Sequence, residues 1–133
     1  TDVGKRISSK RNDMVYLGMD EADVVIESKD GEVTLRLFHP RKGTSYAVSY
    51  QIQKYIESLT GWLKPNILMV GHYHKSEFLF YRNILACQAG TLQFQTPFMR
   101  GRNIAAIQGF WIIEAMLDGE SVSRFCSEWF PCY

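Results

Sequence analysis

The chain has 133 residues, 46% of them hydrophobic and 14% aromatic, and its 15 Lys and Arg against 14 Asp and Glu leave a formal net charge of +1. That length suits one domain with a buried core, and that composition excludes a disordered chain. The near-neutral balance excludes a global electrostatic drive toward nucleic acid or an anionic membrane, and no apolar run approaches the ~20 residues that span a bilayer, so no membrane partner is expected.

The first residues, Thr1-Asp2-Val3-Gly4-Lys5-Arg6, carry no apolar signal core. The chain does not begin with Met, so it is expected to be processed or a piece of something longer. Residues 1–13 are polar and basic and read as a mobile start or an incoming linker. Met14-Val15-Tyr16-Leu17-Gly18 reads as a short strand and Asp23–Glu27 as a second. Lys29-Asp30-Gly31-Glu32 is a hairpin signal, since Asp-Gly supplies a positive φ, and Val33–Phe38 returns as the third strand. After the loop Arg41-Lys42-Gly43-Thr44 the period changes. Val48, Ile52, Tyr55, Ile56 and Leu59 fall on one face of a helix, with Thr44 or Ser45 as its cap and Gly61 at its C-terminal end. Ile67–Val70 is a continuous apolar run of strand length, as expected of a strand buried on both faces.

Beyond His74 the pattern turns antiparallel. Phe78–Tyr81 and Ile84–Cys87 flank the hairpin-sized break Arg82-Asn83, Gln93–Met99 is polar-aromatic and broken by Pro97, and Gln108–Met116 and Val122–Trp129 are strands joined at Asp118-Gly119. Trp62, Trp111 and Trp129 are expected to be packing residues. The order strand, helix, strand, then hairpins predicts an α/β fold with α+β character, a mixed β-sheet with at least one crossover helix.

Chemistry is concentrated in the histidines. His39 ends the run Thr34–Phe38 and precedes Pro40, while His72 and His74 form Gly71-His72-Tyr73-His74 directly after Ile67–Val70. A crossover through the helix would make the two strands parallel neighbours, bringing their carboxyl ends, where open α/β sheets bind ligands, to one edge. Neutral imidazole suits a divalent transition metal. Three histidines and a water would also satisfy a mononuclear zinc site. The nearby acids Glu57 and Glu77 have no motif context, and Asp13, Asp20, Glu21 and Asp23 cluster without recognisable ligand spacing. Cys87, Cys126 and Cys132 are an odd count with no CxxC pair, which points to reduced thiols and a cytoplasmic location.

Leu37-Phe38-His39-Pro40 followed by Gly71-His72-Tyr73-His74 resembles the last two signature blocks of the calcineurin-like metallophosphoesterases, where a lone His follows one strand and GHxH the next parallel one. Gln88-Ala89-Gly90-Thr91 is similar to the glycine-rich turn that often follows in that family. The resemblance covers about residues 33–117. It implies that His39 and His72 ligate one ion of a pair and His74 the other. It implies too a cofactor of two divalent ions (Mn, Fe, Zn or Ni), a phosphodiester or phosphomonoester substrate, and half of a metallophosphatase-type α/β/β/α sandwich. The family's earlier blocks DxH, GDxxD and GNH[DE], which supply the bridging Asp and the remaining ligands, are absent. The chain therefore resembles the C-terminal portion of such an enzyme, incomplete on its own, whose partner is the missing N-terminal half of the domain. The competing expectations are a catalytically inactive scaffold or interaction subunit of the same fold, and an unrelated mononuclear zinc hydrolase.

Two loops are candidates for substrate. Arg41, Lys42, Gly43 and Thr44 join two cations, a glycine and the free N–H groups of a following helix, a phosphate-holding combination; the plainer reading is a solvated basic loop. Thr96-Pro97-Phe98-Met99-Arg100-Gly101-Arg102 mixes aromatic and basic residues as a contact for nucleotide or nucleic acid would, or as an ordinary surface loop does.

Overall fold

The computed structural model describes residues 2–133. Its elements in chain order are α1 (Val3–Ser8), β1 (Glu21–Ser28), β2 (Gly31–Phe38), α2 (Tyr50–Ser58), β3 (Ile67–Val70), β4 (Ser76–Tyr81), β5 (Ile84–Ala89), α3 (Pro97–Gly101), β6 (Gly109–Asp118) and β7 (Ser121–Pro131). Five strands form a mixed sheet in the order β1-β2-β3-β5-β4, with β2, β3 and β5 parallel and the edge strands β1 and β4 antiparallel to their neighbours. β6 and β7 form a separate two-stranded sheet. This is the mixed α/β content the sequence predicts. Among the described residues no helix is long and apolar enough to cross a membrane.

The strand alternation decides what covers each face. Leu68, Val70, Ile84 and Ala86 point to one side and pack with Ile52 and Ile56 of α2, which are 2% and 0% exposed. Hydrophobic spacing on α2 thus finds its counterpart in the odd-even pattern of the central strands. On the opposite face the β6–β7 hairpin packs: Phe78 of β4 stacks on Phe125 of β7, ring centroids 5.3 Å apart. Its turn is fastened to the other end of the sheet, where Asn66 Nδ2 donates to the Glu120 carbonyl at 2.9 Å and Ser28 Oγ to the Gly119 carbonyl at 2.8 Å. Gly31 belongs to this contact. It opens β2 without a left-handed φ, and a Cβ there would meet Gly119 and Glu120 at 2.8 Å, so glycine is required for close approach and not for the turn.

Several local expectations are corrected. Within residues 1–13, where no element was expected, Val3–Ser8 forms α1, capped by Asp2, whose carboxylate accepts from Lys5 N at 3.3 Å. Met14–Gly18 is irregular and pairs with no strand. α2 begins at Tyr50 with Ser49 at the cap position, not at Thr44 or Ser45. The preceding loop is instead tied down by tertiary bonds, from Lys75 Nζ to the Ser45 carbonyl and from Gln88 Nε2 to the Val48 carbonyl. Gly61 is left-handed, φ 51°, but follows the Leu59 cap by two residues and opens a short 3-10 turn, Gly61–Leu63. Trp62 in that turn is 91% exposed and packs nothing, whereas Trp111 donates through Nε1 to the Gln88 carbonyl at 2.9 Å. Pro97 starts α3 behind a Thr96 cap in a stretch otherwise read as polar-aromatic chain.

Candidate metal and phosphate edge

The register Phe38↔Val70 aligns the ends of β2 and β3, and Gly71 N donates to the Phe38 carbonyl at 3.0 Å. His39 and the Gly71–His74 loop therefore leave the sheet side by side. β5 ends at the same edge, where Gly90 N donates to the Lys75 carbonyl at 3.0 Å. Two parallel strands, β2 and β3, thus deliver His39, His72 and His74 to one edge of the sheet, and β5 ends beside them.

Tyr73 orients the loop. Its ring is buried, 7% exposed, against the α2 side of the core, which turns its two neighbours away from that core. His72 and His74 carry φ values of 76° and 54°, left-handed conformations that cost a non-glycine residue roughly 1–2 kcal/mol each. Strain of this kind persists where surrounding structure imposes it, and it gathers at ligand-holding sites. The His39 ring passes close by Gly71 without requiring glycine there: a Cβ would sit 3.5 Å from His39 Cδ2, an ordinary contact.

The His39 and His72 rings lie edge to face with centroids 4.9 Å apart. Burial, then the fields of His39 and His74, hold the His72 imidazolium below its ordinary pKa, against an opposing backbone hydrogen bond at Lys42. His72 is thereby favoured in the neutral form, the form that coordinates metal. His74 Nδ1 is buried and has no hydrogen-bond partner. A buried orphan nitrogen costs about 1–3 kcal/mol unless something accepts or donates to it. An imidazole lone pair directed at a cation would remove that cost.

The donor chemistry fits a divalent transition metal, but the shell is partial. Among the described residues no group of three or more His, Cys, Asp and Glu side chains is arranged to hold an ion. His39 and His72 meet, while His74 lies across His72 on the wall of the adjoining cavity. Asp20 approaches this edge, where its backbone carbonyl accepts from His39 N at 2.6 Å. Its side chain is held below its ordinary pKa, chiefly by Arg41, which reaches both oxygens at 2.9 and 2.7 Å, with a smaller contribution from His39. Asp20 was visible in the sequence only as one acid of a cluster; it approaches His39 because the irregular chain before β1 passes across the sheet edge.

The basic loop divides. Arg41, Gly43 and Thr44 line a cavity of about 400 Å³ together with His72 and His74, whereas Lys42 faces a separate pocket beside Tyr55 and Lys54. With α2 starting at Tyr50, no helix N-terminus adjoins Gly43 and Thr44, so the expected contribution of free helix N–H groups is absent from this loop. The far wall of the cavity is α3 and its flanks, Thr96, Phe98, Met99 and Arg102.

No protein-family model and no curated protein matches the chain. Among solved structures, the solution NMR structure of the Thermotoga maritima protein TM1076 is similar over 74% of this chain and 48% of that one, at 19% identity and a TM-score of 0.32. The chain thus spans about half the length of that structure.

Proposed function

We propose that this chain is the C-terminal portion of a dinuclear-metal phosphoesterase of the calcineurin-like type, hydrolysing a phosphodiester or phosphomonoester and incomplete on its own. The observation that carries the reading is the His39–His72 ring contact, 4.9 Å between centroids, at the shared carboxyl ends of two parallel strands. His39 and His72 would hold one ion and His74, with its unpartnered Nδ1, the other. When bound, the two divalent ions supply Lewis-acid polarisation of the phosphoryl group and an activated water. The residues of this chain would hold and orient: Tyr73 fixes the two outward histidines, and Thr44, with the Arg41 nitrogen that Asp20 leaves free, would face the anionic oxygens of the ester. The bridging and remaining carboxylate ligands belong to the missing N-terminal half, the chain's first expected partner. Cys87, Cys126 and Cys132 are all free thiols, which supports a reducing, cytoplasmic setting.

The inactive-scaffold reading draws on one observation, the incomplete donor set among the described residues. Metal content separates the alternatives. After loading with manganese or zinc, elemental analysis of the chain is expected to give substoichiometric metal, reduced further in His39→Ala and in His72→Ala with His74→Ala. Addition of a segment bearing the missing carboxylates is expected to raise it to about two ions and to bring phosphodiester hydrolysis. One tightly held zinc per chain would replace the dinuclear reading with a mononuclear one. No metal in any combination would leave the scaffold.

A further inference from the structure

We infer that the cavity beside His72 and His74 takes a flat heteroaromatic ring as well as a phosphate, so that the phosphoester handled at this edge is nucleotide-like. The location of the phosphate rests on the phosphoesterase reading above; the ring subsite rests on α3.

The segment 91–108 leaves the carboxyl end of β5 and returns to the same place. Ile107 N donates to the His74 carbonyl at 2.9 Å, Thr91 N to the Ile107 carbonyl at 3.0 Å, and Gly109 N to the Thr91 carbonyl at 2.9 Å. α3 lies inside this excursion and is pinned within it. Thr96 Oγ1 accepts from Met99 N at 3.2 Å, Ile104 N donates to the Met99 carbonyl at 2.9 Å, and Gln95 Nε2 donates to the Ile104 carbonyl at 2.9 Å. The wall opposite the histidines is thus built and tied by backbone to His74 itself.

On that wall Met99 is the anchor, 5% exposed, and Phe98 is the face, 63% exposed. A large aromatic ring left in solvent one position from a buried anchor contributes little to packing. The Arg102 guanidinium lies over the Phe98 ring, 4.6 Å from its centroid, so it covers one face of that ring and offers its own plane for stacking. Of the two cavity arginines, Arg41 is paired with Asp20, whereas Arg102, like Arg6, Arg82, Arg100 and Arg124, is in no ion pair among the described residues. The described residues lining this cavity include Arg41 and Arg102 and no acid. An exposed aromatic ring carrying an unneutralised guanidinium suits a ligand that is flat at one end and anionic at the other. Nucleobases stack on aromatic rings and guanidinium planes without sequence preference, and the cation serves the phosphate. The volume, about 400 Å³, falls in the range of small-ligand pockets, roughly 300–1,000 Å³.

The test compares two probes that differ only in the ring, adenosine 5′-monophosphate and ribose 5-phosphate, titrated calorimetrically into the manganese-loaded chain. The monophosphate is expected to bind about ten-fold more tightly, in the lower part of the range for base-on-aromatic stacking. Phe98→Leu is expected to abolish the preference and Phe98→Trp to retain it; at 63% exposure the position tolerates both. Arg102→Gln is expected to weaken the monophosphate several-fold. Equal affinity for the two probes, no binding of either, or a preference unchanged in Phe98→Leu would overturn the inference. The phosphoesterase reading fails separately, through absence of metal and hydrolysis while the ring preference stands. Bound metal with no ring preference refutes the ring subsite alone.

Discussion

Arg36 lies in the sheet, 8% exposed, and is tolerated because three acceptors meet it. Asp23 on the neighbouring strand takes its Nε and one terminal nitrogen at 2.6 and 2.8 Å, and the Tyr55 hydroxyl lies 3.2 Å from the other. Asp23→Asn would leave a mostly buried guanidinium without its counter-charge. Breaking a fully buried pair costs roughly 3–5 kcal/mol. The Asp23 side chain is 41% exposed, so solvent screening reduces the expected loss to about 1–2 kcal/mol of unfolding free energy, read by urea denaturation. Arg36 holds the Asp23 carboxyl below its ordinary 3.8. The stabilisation is therefore present above that value and lost as pH falls through the lower folded one. An unchanged urea midpoint in the variant would contradict this account of the pair. Cys87 tests burial at the same scale: desolvation pushes its thiol up to about 12, so at pH 8 almost no thiolate forms. Iodoacetamide is expected to modify the exposed Cys126 and Cys132 in the folded protein and to reach Cys87 only in denaturant, with mass spectrometry reading the sites. Rapid modification of Cys87 under native conditions would refute its protection.

The elements were legible to the degree that local chemistry determines them. Hydrophobic period located α2 through Ile52, Tyr55 and Ile56, and the apolar run located β3. The start of α2 was misread because Thr44 and Ser45 are good capping residues whose segment is committed elsewhere, to Lys75 and Gln88. The β4–β5 hairpin turns at Arg82-Asn83 with φ of 48° and 65°, two left-handed residues as a type I′ turn requires. Arginine pays a steric cost there that asparagine and glycine avoid. Arg82→Asn combined with Asn83→Gly is expected to raise stability by roughly 0.5–1 kcal/mol without altering the register, since the turn geometry already exists. A lower melting temperature for the double variant would show that Arg82 contributes something beyond the turn, for which its position over the Tyr81 ring, 5.6 Å from the centroid, is the candidate.

At the scale of the molecule, the five-stranded sheet is covered on one side by α2 and on the other by the β6–β7 hairpin, and the hairpin itself is two-sided. Phe125 faces the sheet and stacks on Phe78, while Ile112 and Met116 face outward at 54% and 52% exposure. Phe125→Ala is expected to lower unfolding free energy by roughly 2–3 kcal/mol, and Ile112→Thr with Met116→Gln by less than about 0.5. Guanidinium denaturation of the three proteins checks the order; equal effects would mean that the hairpin does not lie on the sheet in this sense. The hairpin's position bears on the site only indirectly. Its first strand begins where the α3 excursion ends, so the layer that buries one face of the sheet also anchors the wall opposite the histidines.

From the sequence alone came β1 to β7, though with a false strand at Met14–Gly18, the crossover helix, the mixed fold class and the candidacy of His39, His72 and His74, because periodicity and the ends of apolar runs are properties of neighbouring residues. The same local signals predicted no place for Asp20 and no division of the Arg41–Thr44 loop, and they named the 96–102 loop as a candidate nucleotide contact without placing it opposite His72 and His74. Each of those depends on where a distant segment passes: the chain before β1 crossing the His39 edge, Lys75 and Gln88 holding the loop before α2, and α3 returning to His74. Only the tertiary structure decided these, since contacts between residues far apart in sequence are chosen by the packing of whole faces, and no short-range pattern encodes which faces will meet.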